Sequence, residues 1–262
     1  MADIVVETRN LHREFGKLTA VDSLDLKVER GQFLGFLGPN GAGKSTTIKM
    51  LTGLLRPTSG TIQVLGMDLE RQGVEVKQRI GVVPEGLALF ERLTGTQLLN
   101  FVGRMYSLDR DTAAARSAEL LEFMDLRTSA DKLVADYSHG MKKKIALAAA
   151  VIHRPDILFL DEPFEGVDAI AAGTLKAMLQ RFTARGGTIF LTSHVLEVVE
   201  RLCSHIAIIQ DGKLVTSGSI EELRAGVTLR DPECAGQALT LEQIFLEVVG
   251  GEHQAPHELS WL

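Results

Sequence analysis

Eight consecutive residues, Gly38-Pro39-Asn40-Gly41-Ala42-Gly43-Lys44-Ser45, carry the spacing G-x-x-x-x-G-K-S, and Thr46 follows. Glycines let backbone N–H groups converge on an oxyanion with no Cβ in the way. Lys44 adds a positive charge on a long stem that can reach β- and γ-phosphates. The Ser45 hydroxyl is a hard oxygen donor suited to Mg²⁺. The run follows the apolar stretch Phe33-Leu34-Gly35-Phe36-Leu37 and opens a predicted helix from about Ser45 to Leu54. A strand before the loop and a helix after it are the context this motif requires. A helix N-terminus there would add its own attraction for anions.

Two further places carry groups of the right type. Ile157-Leu158-Phe159-Leu160 runs into Asp161-Glu162-Pro163, which sets two acids at the end of a buried strand. Ligands of open α/β sheets bind at such ends. Asp161 can hold a magnesium ion, and Glu162 can polarise an attacking water. Two acids capping a strand are also an ordinary solvated arrangement, and the phosphate loop is what favours chemistry here. Thr188-Ile189-Phe190-Leu191 likewise ends in Thr192-Ser193-His194. A neutral imidazole at His194 can bond a γ-phosphate and the water, although a lone histidine is often structural.

These groups need a scaffold. Short β-like runs open the chain at Ile4–Glu7, Ala20-Val21 and Leu24–Val28, punctuated by Arg30-Gly31. Thr61–Leu65, Ile80–Val83 and Ile206–Ile209 read as further strands, and helical segments separate the later ones. From about Thr94 to Leu133 the spacing becomes helical, with Leu98, Phe101, Val102 and Met105 on one face and Leu120, Leu121 and Met124 on another. This predicts a helical insertion in a largely parallel α/β core covered on both faces. Ile145–Ile152 reads as a buried helix, and Leu241, Ile244, Phe245 and Val248 form one stripe of a terminal helix. The last dozen residues are expected to be loose.

Tyr137-Ser138-His139-Gly140-Met141-Lys142-Lys143-Lys144, about twenty residues before Asp161, resembles the signature loop of the ABC ATPase family. The order of phosphate loop, helical insertion, signature, Asp-Glu strand end and histidine resembles that family over residues 4 to 225. The resemblance implies a P-loop NTPase of the ABC nucleotide-binding type: α/β, with an N-terminal antiparallel β subdomain, a parallel-sheet core and a helical insertion at about 94–150. Residues 1–226 would form the ATPase domain and 227–262 a short C-terminal helical tail. It implies ATP and Mg²⁺ as ligands, with Gly38, Pro39, Asn40, Gly41, Ala42, Gly43, Lys44, Ser45 and Thr46 around the phosphates. Lys44, Glu162 and His194 would be catalytic, and Ser45, Glu85 and Asp161 would surround the metal.

The family's signature loop serves the ATP of a second subunit, so Ser138 and Gly140 would complete a head-to-tail dimer, a homodimer or a pair with a close relative. Ser138 is also a good N-cap for the helix that follows. Asp168, in Phe164-Glu165-Gly166-Val167-Asp168, resembles the family's D-loop aspartate. Phe15 falls where the family stacks an aromatic on adenine, and packing in the core is its other reading. Three departures stand out: Glu85 in place of the Q-loop glutamine; His139 and Met141 in the signature, where His139 adds a side chain to a crowded loop; and Glu165 and Val167 around the D-loop.

Val83-Pro84-Glu85, the signature region and Thr240-Leu241-Glu242-x-x-Phe245-Leu246 resemble the subgroup serving exporters of drugs, lipids, polysaccharides or peptides. Integral membrane permease subunits are the partners this implies, with the chain peripheral on the cytoplasmic face. Leu87, Leu89 and Phe90 would dock a cytoplasmic helix of the channel or anchor the insertion to the core. An importer ATPase, or a soluble ABC ATPase acting on ribosomes or DNA, is the alternative. No second phosphate loop or long heptad run supports the soluble form. The net charge of −6 over 262 residues gives no bulk attraction for nucleic acid, and none is expected as a partner. Two cysteines, Cys203 and Cys234, are too few for a disulfide framework, and no apolar run reaches the roughly 18 residues of a membrane span.

Overall fold

A computed structural model describes residues 3–230 and 240–249, with the backbone alone over 226–230. Cys234 and the expected loose final dozen residues lie outside the described residues. The chain opens with two long antiparallel strands, β1 (Ile4–Phe15) and β2 (Leu18–Glu29), joined at Gly16-Lys17. The separate runs expected in this region are parts of these two strands. The pairing slips at several points between Ile4 and Glu14, which breaks the alternation that would have marked long strands. With β4 (Ser59–Val64) and β5 (Met67–Asp68) they form a four-stranded antiparallel sheet in the order β2-β1-β4-β5.

The second sheet has the order β10-β9-β3-β8-β7-β6. Its strands are β3 (Phe33–Leu37), β6 (Ile80–Val83), β7 (Ile157–Asp161), β8 (Thr188–Thr192), β9 (His205–Gln210) and β10 (Lys213–Ser219). All pairs are parallel except β9 with β10. Residues in β3, β7 and β8 are buried throughout, as near-continuous apolar runs covered on both faces should be. Successive residues serve opposite cores. Leu37, Leu160, Leu191 and Ile208 face one cluster, while Phe36, Phe159, Phe190 and Ile209 face the other. Ring contacts at 5.2 and 5.7 Å link Phe36, Phe190 and Phe159 across three adjacent strands.

The second of these cores lies between the two sheets and includes Ile48, Met50 and Leu51 of α1 (Lys44–Leu51). The first packs against α5 (His139–Val151), α6 (Ala169–Ala184) and α7 (Leu196–Leu202). A short α2 (Gly73–Arg79) precedes β6. The helical insertion comprises α3 (Gly95–Met105) and α4 (Arg110–Phe123), two 3₁₀ turns, and α5. Thr94 and Gln97 form a capping box at the start of α3, and the Asp109 side chain caps α4. On α3 the expected face is divided: Leu98 is buried, whereas Phe101 and Met105 are exposed. Beyond β10, α8 (Ile220–Arg230) and α9 (Leu241–Val249) pack on each other, with Leu241 and Ile244 buried.

Candidate active site

Parallel pairing of β3, β8 and β7 brings three consecutive strand ends to one edge of the sheet. The loop after β3 is the glycine-rich segment, Asp161 and Glu162 end β7, and His194 follows β8. Gly43 has φ +104°, and a Cβ there would strike the Ala20 carbonyl, so glycine is required for the turn into α1. Lys44 is buried, its Nζ donating to the carbonyls of Gly38 at 2.7 Å and Pro39 at 3.1 Å. Its ammonium is therefore held over the loop.

Asp161 sits in register with Thr192. Its Oδ1 accepts from Thr192 Oγ1 at 2.6 Å and from Ser45 Oγ at 3.2 Å. Glu162 is a non-glycine residue at φ +47°, a conformation that costs energy and persists only where neighbours hold it. Those neighbours are identifiable. Its N–H donates to Thr192 Oγ1 at 3.1 Å and to the Thr192 carbonyl at 3.2 Å, and its own carbonyl accepts from Lys143 Nζ at 2.9 Å. The carboxylate is thereby turned toward His194, whose Nδ1 lies 2.9 Å from Oε2 and whose backbone N–H donates to the same oxygen at 3.2 Å. A carboxylate hydrogen-bonded to an imidazole at the mouth of a phosphate loop can orient a water and take its proton.

These groups surround an open depression of about 560 Å³. Asn40, Gly41, Lys44, Ser45 and Thr46 line one side, and Glu85, Glu162, Glu165 and His194 another. Phe15, Leu18 and Thr19 from the β1–β2 hairpin close the third. Phe15 is 45% exposed, so it is not a core aromatic, and the Arg13 guanidinium lies 4.5 Å from its ring centroid. Three carboxylates face one ammonium here, so a polyphosphate would be repelled unless a divalent cation came with it. The Ser45 and Asp161 oxygens are hard donors that fit Mg²⁺. Among the described residues no three His, Cys, Asp or Glu side chains gather to hold a metal by themselves. Phosphate oxygens and water would therefore complete the shell, as suits magnesium.

Ser138, Gly140 and Asp168 do not line this depression. They stand at the starts of α5 and α6 instead. Ser138 caps α5 by accepting from the Met141 N–H at 3.3 Å, and Asp168 caps α6 by accepting from the Ile170 and Ala171 N–H groups at 2.9 Å. Those backbone donors, chiefly Ala171, hold the Asp168 carboxyl below its usual pKa. A Cβ at Gly140 would meet Asp168 Oδ2 and Ala171 at 3.2 Å, so the two helix starts are in close contact. The His139 side chain is accommodated because position 166 is glycine, where a Cβ would meet its ring at 3.2 Å. Its ring turns away to the segment before α6, placing Nε2 3.1 Å from the Glu165 carbonyl.

Three contributors were not among the expected site residues, although Glu165 stood out as a departure near the D-loop. Thr192 and Lys143 hold Asp161 and Glu162, and Glu165 lines the depression. Thr192 stands at a strand end that the sequence marks, but its pairing with Asp161 is set only by the register of β7 against β8. Lys143 carried a contrary signal, standing in a run of three lysines yet almost fully buried, and burial lowers its pKa.

A family model described as ABC transporter matches residues 21–165. The chain is 38% identical over 248 residues to the daunorubicin resistance ATP-binding protein DrrA3 of Streptomyces coeruleorubidus, covering 92% of this chain and 78% of that protein. It is 37% identical over 219 residues to the linearmycin resistance ATP-binding protein LnrL of Bacillus subtilis (strain 168), covering 84% and 70%. Among solved structures, an ATP binding subunit of an ABC transporter is similar with a TM-score of 0.85 and 28% identity, over 93% of this chain and 99% of that one. With its nucleotide loop, strand-end acids and helical insertion disposed as described, the chain belongs to the ABC transporter family as an ATP-binding, ATP-hydrolysing subunit.

Proposed function

We propose that the chain works as one of two head-to-tail ATPase subunits that drive export through a separate membrane permease. The observation that carries the dimer is the division of the site within one chain. Lys44, Ser45, Glu162 and His194 line the nucleotide depression, with buried Asp161 hydrogen-bonded behind Ser45, while Ser138, Gly140 and Asp168 stand outside it. A second subunit, turned to present its α5 start, would bring free N–H groups and a hydroxyl to the γ-phosphate. Lys44 and the loop amides hold the phosphates, Phe15 stacks on the adenine, Glu162 receives the proton of the attacking water and His194 orients that pair. Ser45 and Asp161, with Glu85 beside them, would hold Mg²⁺, which supplies charge neutralisation at the transferring phosphoryl group when bound. The ATPase domain is residues 1–226 and the tail residues 227–262.

Export is supported by the relatives' resistance functions. A permease is supported by an exposed apolar patch, since among the described residues no helix is long and apolar enough to cross a membrane. Phe90 and Phe101 are 53% and 42% exposed and touch edge to face at 5.1 Å, with exposed Met105 on the same helix as Phe101. Leu87 and Leu89 pack inward and Phe90 faces out, so the segment both anchors the insertion and offers a contact surface.

The deciding experiment is Glu162→Gln. With MgATP the variant should lose turnover and elute as a stable dimer in size-exclusion chromatography. A variant that stays monomeric and hydrolyses ATP normally would remove both the base and the sandwich. Replacing Phe90 and Phe101 together by serine should leave the basal ATPase intact and abolish co-purification with a multi-span membrane protein. Retained co-purification would move the docking surface elsewhere.

A further inference from the structure

A second depression, of about 800 Å³, lies at the opposite edge of the six-stranded sheet from the nucleotide. Pro155 and Gly187, which line it, lie two residues before β7 and one before β8, whereas the phosphate-facing residues stand at the far ends of those strands. Its walls are α4, the end of α5 and the last turns of α6. It is a separate site, and a partner seated on the nucleotide edge would leave it open.

Two kinds of residue line it. Leu120, Phe123, Val151, Met178 and Phe182 form an apolar floor, each of them partly buried against the core. Arg116, Arg154, Arg181 and Arg185 stand around them. Arg116 donates to the Ile152 carbonyl at 2.7 Å, and the Arg181 guanidinium lies 4.6 Å from the Phe123 ring centroid. None of the four forms an ion pair with a carboxylate of the described residues, and a single acid, Glu119, lines the trough with them. In a chain of net charge −6 this gathering of arginines runs against the background. Cations at the ends of α5 and α6 complement the helix dipoles, but that role requires no apolar floor between them.

The lining restricts what fits. A wholly polar anion would leave the floor wet. An uncharged apolar molecule would strip water from the guanidinium groups without replacing it. A ligand with an apolar body and an anionic head satisfies both, and guanidinium pairs well with carboxylate and phosphate. The volume falls within the roughly 300–1,000 Å³ of small-molecule sites. We infer that this trough binds a single-chain anionic amphiphile, with its head on the rim arginines and its chain along Leu120, Phe123, Met178 and Phe182. Free single-chain amphiphiles and membrane phospholipids share this chemistry. A trough walled by three helices favours the former over a flat bilayer surface.

The test is a fluorescence titration of the full-length chain with cis-parinaric acid. Saturable binding near one to one is expected, displaced by oleate and lysophosphatidylglycerol but not by uncharged dodecyl maltoside. Arg181→Gln with Arg185→Gln should weaken it at least tenfold while the basal ATPase stays unchanged. Met178→Gln should weaken it independently, and Lys44→Ala should not alter it. No saturable binding, equal binding by the arginine variant, or equal displacement by the maltoside would overturn the site. Binding to phosphatidylglycerol vesicles without binding of the free probe would overturn it in favour of a membrane-surface role. Variants that lose thermal stability yet bind the probe as before would leave the arginines as helix-end cations only.

Discussion

Replacing Thr192 by valine tests the claim that one buried hydroxyl holds both acids of the site. Valine keeps the β-branched shape and the strand preference, so the perturbation is the loss of Oγ1. That atom donates to Asp161 Oδ1 at 2.6 Å and accepts from the Glu162 N–H at 3.1 Å, and the residue is fully buried. The two losses are unequal. The Glu162 N–H retains the Thr192 carbonyl at 3.2 Å, so it is not orphaned. The Asp161 carboxylate loses the short bond it accepts from the Thr192 hydroxyl, worth about 2 kcal/mol in a buried setting, and keeps only the longer one from Ser45. For a chain of this length that corresponds to a fall of about 4–8 °C in melting temperature. Turnover should fall about tenfold, because Glu162 at φ +47° loses one of the ties that hold it, while KM for ATP changes less. Thr192→Ser keeps the hydroxyl and discards the methyl, so it should restore most of the turnover. Scanning calorimetry and a steady-state ATPase assay read both quantities. A valine variant melting within about a degree of the parent at full turnover would refute the reasoning.

Two further substitutions address other parts of the molecule. Phe15→Ala should raise KM for ATP about tenfold with little change in kcat, since base–aromatic stacking contributes about 1–3 kcal/mol. An unchanged KM would return Phe15 to a purely structural role. His153 stacks on Tyr106 at 3.6 Å and places Nε2 3.0 Å from the Ile80 carbonyl, leaving the buried Nδ1 without a partner. Burial lowers its pKa from 6.5 to about 4, so the unfolded chain takes up the proton first as the pH falls. The stability present above pH 6.5 is therefore lost progressively down to about pH 4, by about 2 kcal/mol once solvent screening is allowed for. Melting curves of His153→Gln between those limits should be flatter than the parent's by that amount, and parallel curves would contradict the assignment.

What could be read before the structure was known depended on how locally each feature is encoded. The glycine-rich loop is legible because its geometry is set within nine residues and its flanking strand is uniformly apolar. Asp161 and His194 are marked by buried strands that stop at them. The long β1–β2 hairpin is harder to see, because its register slips and left-handed residues at Asn10 and Ser23 interrupt the alternation. On α3 a single stripe holds Leu98, turned to the core, and Phe101, left in solvent, and helical spacing alone does not separate an internal face from one kept for a partner. Thr192 matters only because β7 and β8 are aligned so that it faces Asp161, 31 residues earlier. Lys143 resembles part of a solvated charge run until α5 is placed against the strand end that it supports. The rim arginines come from α4, the α5–β7 turn and the end of α6, and nothing in their sequence neighbourhoods relates one to another. Groups that act within one loop can be found from spacing, whereas groups that hold another residue in place emerge only when register and packing are known. The second kind carries much of this site's precision, since Glu162 is kept in its costly conformation by Thr192 and Lys143 rather than by its own neighbours in the chain.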